Sequence, residues 1–316
     1  MALRNSIFAV SGKASFMDAR RNMSGLFVCD KTTMLPIAGI LDRSQDNLVT
    51  GNSNSMSVTV HPFNAVLNRY GALLIQNDGN VNVPLAAAPS ANSRIDVVYV
   101  KQNEKRSPMS DSSDVPAFGV VKGTDAAVPV APAVPAGALA LAQVLLPAGV
   151  SNTAASGVVI TQTYIGAAMK GDMLRVQTSA QRDAMTMVPE GTLLHNVADG
   201  CDYVRKGGKW RGWNMPWTDI HLGTNQAHMW ASNGVGYIDL VTASINLTGW
   251  GSAVNIGQVS NSAFYPAIDE GIYASTRDSY LPTTVAVRAG GAVSLEYSGG
   301  QTGNRVVSSI FSYNIG

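Results

Sequence analysis

Charge, cysteine and long apolar runs are all scarce in this chain. Charged residues fill 14% of its 316 positions, against roughly 25% in ordinary soluble domains. The apolar share is an ordinary 46%, which rules out a disordered chain and points instead to surface hidden in an oligomer. The formal net charge is +1, so the chain as a whole lacks the basic excess of a nucleic-acid-binding domain. The two cysteines, Cys29 and Cys201, stand far apart and outside any CxxC or Cys/His cluster; buried free thiols are expected. The opening MALRNSIFAVSGK has an apolar run only over 7–10, too short for a signal-peptide core, so cytosolic synthesis is expected. The longest apolar stretch, 131–150, is broken by Pro132, Pro135 and Pro147. It cannot supply the roughly 20 uninterrupted residues of a membrane span.

Reactive constellations are equally sparse. None of the four histidines, His61, His195, His221 and His228, has a nucleophile motif such as GxSxG around it, so structural roles are expected for them. His221 and His228 lack a third ligand for zinc, and Asp111 with Asp114 is too thin a set for calcium. No metal or cofactor is expected. Glycan hydrolysis needs two carboxylates roughly 5–9.5 Å apart across a cleft. The neighbouring acids in the last third are Asp269, Glu270 and Asp278, and adjacent strand residues point to opposite faces. No enzymatic activity is expected.

What is present is the patterning of a mainly β protein long enough for two or three domains. A short helix is expected over 15–23, where Ser15 and Asp18 have capping-box spacing and Phe16, Ala19, Met23 and Leu26 share one face. Met56, Val58 and Val60 then alternate with polar residues as a half-buried strand ended by Pro62. A second strand over 71–76, the cluster Asn77-Asp78-Gly79-Asn80 and a return over 81–83 read as a hairpin in a meander. The run 94–102, RIDVVYVKQ, is apolar on both faces and reads as a central strand; 117–122 and 138–146 supply further strands.

The middle, 167–217, reads as a connector. Thr178 and Gln181 fit a second capping box ahead of 182–187, Pro189-Glu190-Gly191 returns the chain to strands, and Asp199-Gly200 turns a small hairpin whose core Trp210 can cap. The last segment, 218–316, has no lysine and a net charge of 3 − 6 = −3. Its short runs recur about every dozen residues between Gly, Ser and Asn clusters, the spacing of a β-sandwich or jelly-roll head.

Taken in order, ASFMDARRNMSGLF, SMSVTVHP, SANSRIDVVYVKQNE and ALALAQVLLPAGVS resemble the N-terminal domain of minor tail and receptor-binding proteins of tailed bacteriophages, chiefly siphophages of Gram-positive hosts. The run from QTSAQRD through PEG to GGKWRGW is similar to a small module of phage structural proteins. Phe264-Tyr265-Pro266, TTVAVRAGGAVSLEY and the final IFSYNIG resemble a tail-tip receptor-binding head. The resemblance implies a homotrimer located in the virion at the tail tip or baseplate. It also implies three parts: an attachment and trimerisation domain over 1–166, the hairpin connector over 167–217, and a β-sandwich head over 218–316. Implied partners are other copies of the chain, other tail or baseplate proteins through the N-terminal part, and host cell-wall polysaccharide through the head, with neither nucleic acid nor membrane insertion. A purely structural baseplate role and a wall-degrading tail enzyme are the alternatives.

All five tryptophans, Trp210, Trp213, Trp217, Trp230 and Trp250, fall in the last third. A flat aromatic covers the apolar face of a sugar ring and leaves its hydroxyls to neighbouring polar groups. The densest mixture of aromatic and charged residues there is Tyr273, Arg277, Asp278 and Tyr280, just before Pro282. These four, with Trp230 and Trp250, are the candidate ligand-binding residues.

Overall fold

A computed structural model describes residues 15–41, 47–220, 226–241, 245–249, 251–275, 282–297 and 302–316. The protein is mainly β, 48% strand and 7% helix, with its strands in several sheets. Two compact units divide it: Met1–Gln177 with Met187–Thr192, and Thr178–Thr186 with Leu193–Gly316.

The first unit opens with helix α1, Phe16–Ser24. Its capping box forms as the spacing implies: Ser15 Oγ accepts from Asp18 N–H, and Asp18 accepts from Ser15 N–H at 2.9 Å. Eleven strands follow: β1 Gly39–Ile40, β2 Val49–Gly51, β3 Ser57–Val60, β4 Phe63–Asn68, β5 Ala72–Asn77, β6 Val81–Pro84, β7 Arg94–Gln102, β8 Pro116–Val121, β9 Leu139–Leu146, β10 Val159–Gln162 and β11 Leu174–Val176. The first ten pair as β1-β4-β5, β2-β3-β6 and β10-β9-β7-β8. One core joins the three sheets. Ile40, Val58, Val60, Phe63, Leu67, Val98, Leu141, Val144 and Leu146 are all buried in it, and Phe118 meets Phe63 edge to face at 6.2 Å.

The hairpin expected at 77–80 is corrected. Strand β5 pairs with β4, while β6 pairs with β3. The reversal lies at Arg69-Tyr70-Gly71, where Asn68 faces Ala72 across the turn. Gly71, at φ 146°, is required there, because a Cβ would lie 2.6 Å from Arg20 of α1. Strands β3 and β4 are thus one arm of a long ribbon and β5 and β6 the other. Between the pairs Val60–Val81 and Phe63–Asn77, residues 61 and 62 oppose 78, 79 and 80. This bulge passes the ribbon from one sheet to the next. Asn77 Nδ2 donates to the His61 carbonyl at 2.9 Å, and the His61 ring bonds Asn80 and Thr50, each at 3.0 Å. The Asn-Asp-Gly chemistry therefore builds a corner.

The expected central strand is central: β7 lies between β9 and β8. It carries Arg94 and Asp96, 1% and 0% exposed, on one buried face. The guanidinium donates from Nε to Asp96 at 2.9 Å and from its two other nitrogens to the carbonyls of Ala87 and Ala86 at 2.7 and 2.6 Å. Gly123 N–H donates to Asp96 at 2.9 Å. Every charge-bearing group thus has partners, the condition under which buried ions are tolerated.

The second unit begins with helix α2, Ser179–Ala184, whose N-cap Thr178 accepts from Gln181 N–H at 3.2 Å. Strands β12 Leu193–Asn196, β13 Cys201–Lys206, β14 Lys209–Asp219, β15 Gln226–Ser232, β16 Val235–Val241, β17 Ile245–Leu247, β18 Ala253–Gln258, β19 Glu270–Ser275, β20 Pro282–Val287, β21 Ala292–Tyr297, β22 Gly303–Arg305 and β23 Ser308–Asn314 follow. One sheet runs β12-β13-β14-β15-β16-β23, a second β18-β21-β20-β19, and β17 pairs with β22. Strand β14 crosses the expected boundary between 217 and 218 without a break, so the small hairpin and the strands after it share a sheet. Phe264 joins them further, meeting Tyr203 edge to face at 5.8 Å over Gly212, and its carbonyl accepts from Tyr313 Oη at 2.9 Å.

Replacing Asp96 with Asn leaves the Arg94 charge buried without its counter-ion. The expected loss is about 3–5 kcal/mol of stability, read as a lower urea midpoint with an unchanged slope.

Candidate functional site: the ring-bearing face of the second unit

Strands β15, β16 and β23 alternate cleanly, and β14 does so up to a bulge after Met215. Met215, Ala227, Met229, Ala231, Ile238, Leu240, Phe311 and Tyr313 point inward and are buried. His228, Trp230, Tyr237, Asp239, Ile310 and Ser312 take the other face, as the period of two requires, and a bulge in β14 brings Trp217 and Asp219 to it. Strand register assembles them, with Trp230 opposite Tyr237, His228 between Asp219 and Asp239, and Ile310 opposite Asp239. Asn233 and Gly234, at φ 52° and 78°, make the tight turn that fixes the β15–β16 register.

A bulge sets the position of Trp217. Met215 pairs with Ala231 and Thr218 with Met229, so Pro216 and Trp217 together oppose Trp230. Proline has no N–H for the ladder and sits without cost at such an irregularity. The displaced indole stands between the two rings of β15. His228 and Trp217 are 4.8 Å apart, Trp217 and Trp230 5.1 Å, and Trp230 and Tyr237 5.2 Å, with interplanar angles of 25°, 20° and 8°. These are offset-stacked spacings. The rings lie in a row like slats, His228 at one end and Tyr237 at the other. Inner ring faces cover one another.

The surroundings are polar and acidic. His228 Nε2 meets Asp219 Oδ1 at 3.0 Å, while its Nδ1 is enclosed without a hydrogen-bond partner. Trp217 is 55% exposed and Ile310 62%, so the row emerges into solvent rather than into a core. Rigid rings flanked by carboxylates can take the C–H face of a sugar at an end ring and its hydroxyls at Asp219 and Asp239.

Of the six candidate ligand residues, Trp230 lies in this row. The backbone of Tyr273 is in β19, opposite Thr284, and its side chain is outside the described part. Arg277, Asp278, Tyr280 and Trp250, like His221, lie outside the described residues. Trp217, His228 and Tyr237 complete the row without being among the six candidates, and Asp239 lies beside His228. The signal was there: His-x-Trp and Tyr-x-Asp flanking Ser-Asn-Gly is a hairpin with aromatics on one face.

His61 and His195 are hydrogen-bonded within the fold, His195 Nδ1 meeting Asp202 at 2.7 Å. Both cysteines are buried and unpaired. Burial, followed by Asp199, pushes the Cys201 thiol up to about 12. Asp269 accepts from Ala289 N–H at 2.8 Å and Arg288 at 3.0 Å, which hold its carboxyl below the usual range. Glu270 accepts from Asn314 N–H at 3.2 Å. Among the described residues no three His, Cys, Asp or Glu side chains are grouped to hold a metal. The chain matches no protein-family model and no curated protein.

The first unit has a cleft of about 460 Å³ lined by Arg69, Tyr70, Lys101, Met109 and Asp111 among others. Its charges are spent on one another. Arg20 and Arg69 pair with Glu104 at 2.5 and 3.3 Å, and Arg69 and Lys101 pair with Asp111 at 2.5 and 2.7 Å. This network anchors the otherwise patternless loop 105–115. The Lys101 ammonium, then Glu104 N–H and Arg69, lower the Asp111 carboxyl to about 2. The folded-state value lies below the unfolded value of about 3.9, so the stabilisation is fully present above about pH 4 and lost as pH falls through about 2. Asp111→Asn is expected to cost about 1–2 kcal/mol at pH 7. Urea melts at pH 7 and pH 2 check this, the gap between wild type and variant closing at the lower pH.

Proposed function

We propose that the chain is a non-enzymatic adhesin of a tailed bacteriophage, a homotrimeric tail-tip or baseplate protein that adsorbs to a host cell-surface saccharide. The saccharide lies on the face formed by Trp217, His228, Trp230 and Tyr237. The row of four rings on a solvent-facing sheet carries the reading. Large aromatics left in solvent at a stability cost mark contact surfaces, and Asp219 and Asp239 supply acceptors for hydroxyls. The tail and virion assignments rest on the sequence resemblance in the attachment domain, connector module and head. In this reading the two larger sheets of the second unit form the sandwich of the head.

Assembly has separate support in the low charge content and in Val128 and Val130, 83% and 78% exposed within the proline-rich run after β8. Apolar side chains so placed suit contact with other copies or other tail proteins. Three heads per trimer then turn a weak sugar site into tight attachment through effective concentration.

The test is decoration of intact host bacteria by the fluorescently labelled full-length protein. Wild type is expected to bind, to be displaced by wall polysaccharide and to release no reducing sugar. Trp217→Ala and Trp230→Ala are each expected to weaken binding about tenfold or more. Undiminished decoration by both variants removes the ring face from the proposal, and a wild type that binds tail proteins but no cell favours the purely structural role.

A further inference from the structure

Between Asp125 and Lys170 the chain carries no charged residue. This neutral stretch begins in the connection from β8 to β9. Both strands run antiparallel to β7 and flank it, so the connection has to carry the chain from one side of β7 to the other. It does so without helix or strand over 127–138.

Within it, Pro129-Val130-Ala131-Pro132-Ala133-Val134-Pro135 repeats proline at every third residue. Proline fixes its own φ at about −65° and holds the residue before it extended. Here that restrains Val128, Ala131 and Val134 as well, and leaves Val130 and Ala133 alone without such a restraint. The run is therefore a polyproline II strut, with about three residues per turn and a rise of about 3.1 Å per residue. Exposure has the same period. Val130, Ala133 and Ala136 are exposed, whereas Ala131, Val134 and Gly137 are half-buried. One stripe of the strut thus faces the protein, and another faces out, with Val128 and Val130 at 83% and 78% exposure.

A stiff strut has little conformational freedom left for binding to remove, and proline-rich segments dock into apolar grooves lined by aromatic rings. The same unit has such a groove. A cleft of about 200 Å³ is lined by Phe63, Ile75, Val100, Pro116 and Phe118 among others. Among the described residues, neither a charged side chain nor any residue of the strut lines it. Its volume is below the roughly 300–1,000 Å³ of small-molecule sites and suits one or two aliphatic side chains. Gln76, exposed in the lining, has an amide for the strut carbonyls, which have no partner within a polyproline II helix.

We infer that the strut of one copy docks, through Val128, Val130 and Ala133, into this groove on a second copy. Both surfaces are apolar and uncharged, so neither holds the other off by charge. Strut and groove are different patches, which makes the contact head-to-tail; such contacts close into rings when the rotation between copies permits. A ring of three meets the homotrimer reading, on which this inference rests and to which it assigns a contact.

The test measures the mass of the full chain by sedimentation equilibrium over a range of concentrations. The variants are Val130→Asp on the strut, Ala117→Lys in the groove lining, and both together, with Val128→Asp as a second strut variant. All three positions are exposed, so no new charge enters the core, and circular dichroism checks that each variant is folded. Wild type is expected to be a trimer. Each single substitution is expected to raise the concentration for half-assembly about tenfold or more, because it buries an unpaired charge at the contact. The double variant sets opposite charges on the two patches and is expected to regain the trimer, which follows only if one patch meets the other. A trimer that survives Val130→Asp or Ala117→Lys, or that is not regained in the double variant, overturns the docking and leaves the homotrimer reading standing. A wild type that is monomeric throughout overturns both.

Discussion

A short strand has two faces, and its backbone cannot choose which of them meets water; only the alternation of side chains and a covering layer can. That constraint shapes both units. Where a strand is covered on both sides, as β7 is, its sequence is apolar from Val97 to Val100, and the buried Arg94 and Asp96 at its start pair with each other. Where one side is open, as in the β14–β15–β16–β23 sheet, the open side is free to carry chemistry. The row of rings is available because Met229, Ile238, Leu240 and Phe311 already satisfy the opposite face.

Irregularities then decide where that chemistry goes. A one-residue slip moves a strand's whole side-chain set to the other face, so a local bulge re-aims part of a strand while the rest keeps its register. At Pro216-Trp217 it lifts an indole into the gap between His228 and Trp230. At His61-Pro62 it folds one ribbon into two sheets. Buried arginines show a parallel contrast: Arg94 Nε donates to Asp96, whereas the enclosed Nε of Arg205 has no hydrogen-bond partner.

Much of this was legible in the sequence because it is local. The Ser15–Asp18 capping box, the alternation in β3, the apolar β7 and the Asp199-Gly200 turn each depend on neighbours a few residues away. What local sequence does not disclose depends on distant partners. Asn-Asp-Gly has the same local chemistry whether the chain reverses or merely bends, and only the partners of β5 and β6 decide between the two. The loop 105–115 has no periodicity, and its order comes from Arg69 and Lys101, which no pattern within the loop reveals. Residue type alone singles out Trp230. Its companions required β15 to be recognised as a strand and the register with β14 and β16 to be known.

The slatted rings also give the protein an optical property. Two indoles 5.1 Å apart and 20° from parallel couple their electronic transitions, so light excites them as a pair rather than singly. Such pairs produce a couplet in ultraviolet circular dichroism whose sign follows the handedness of their offset. This exposed face thereby carries its own chromophore, and any molecule that wedges the slats apart is recorded in the spectrum of the unlabelled protein.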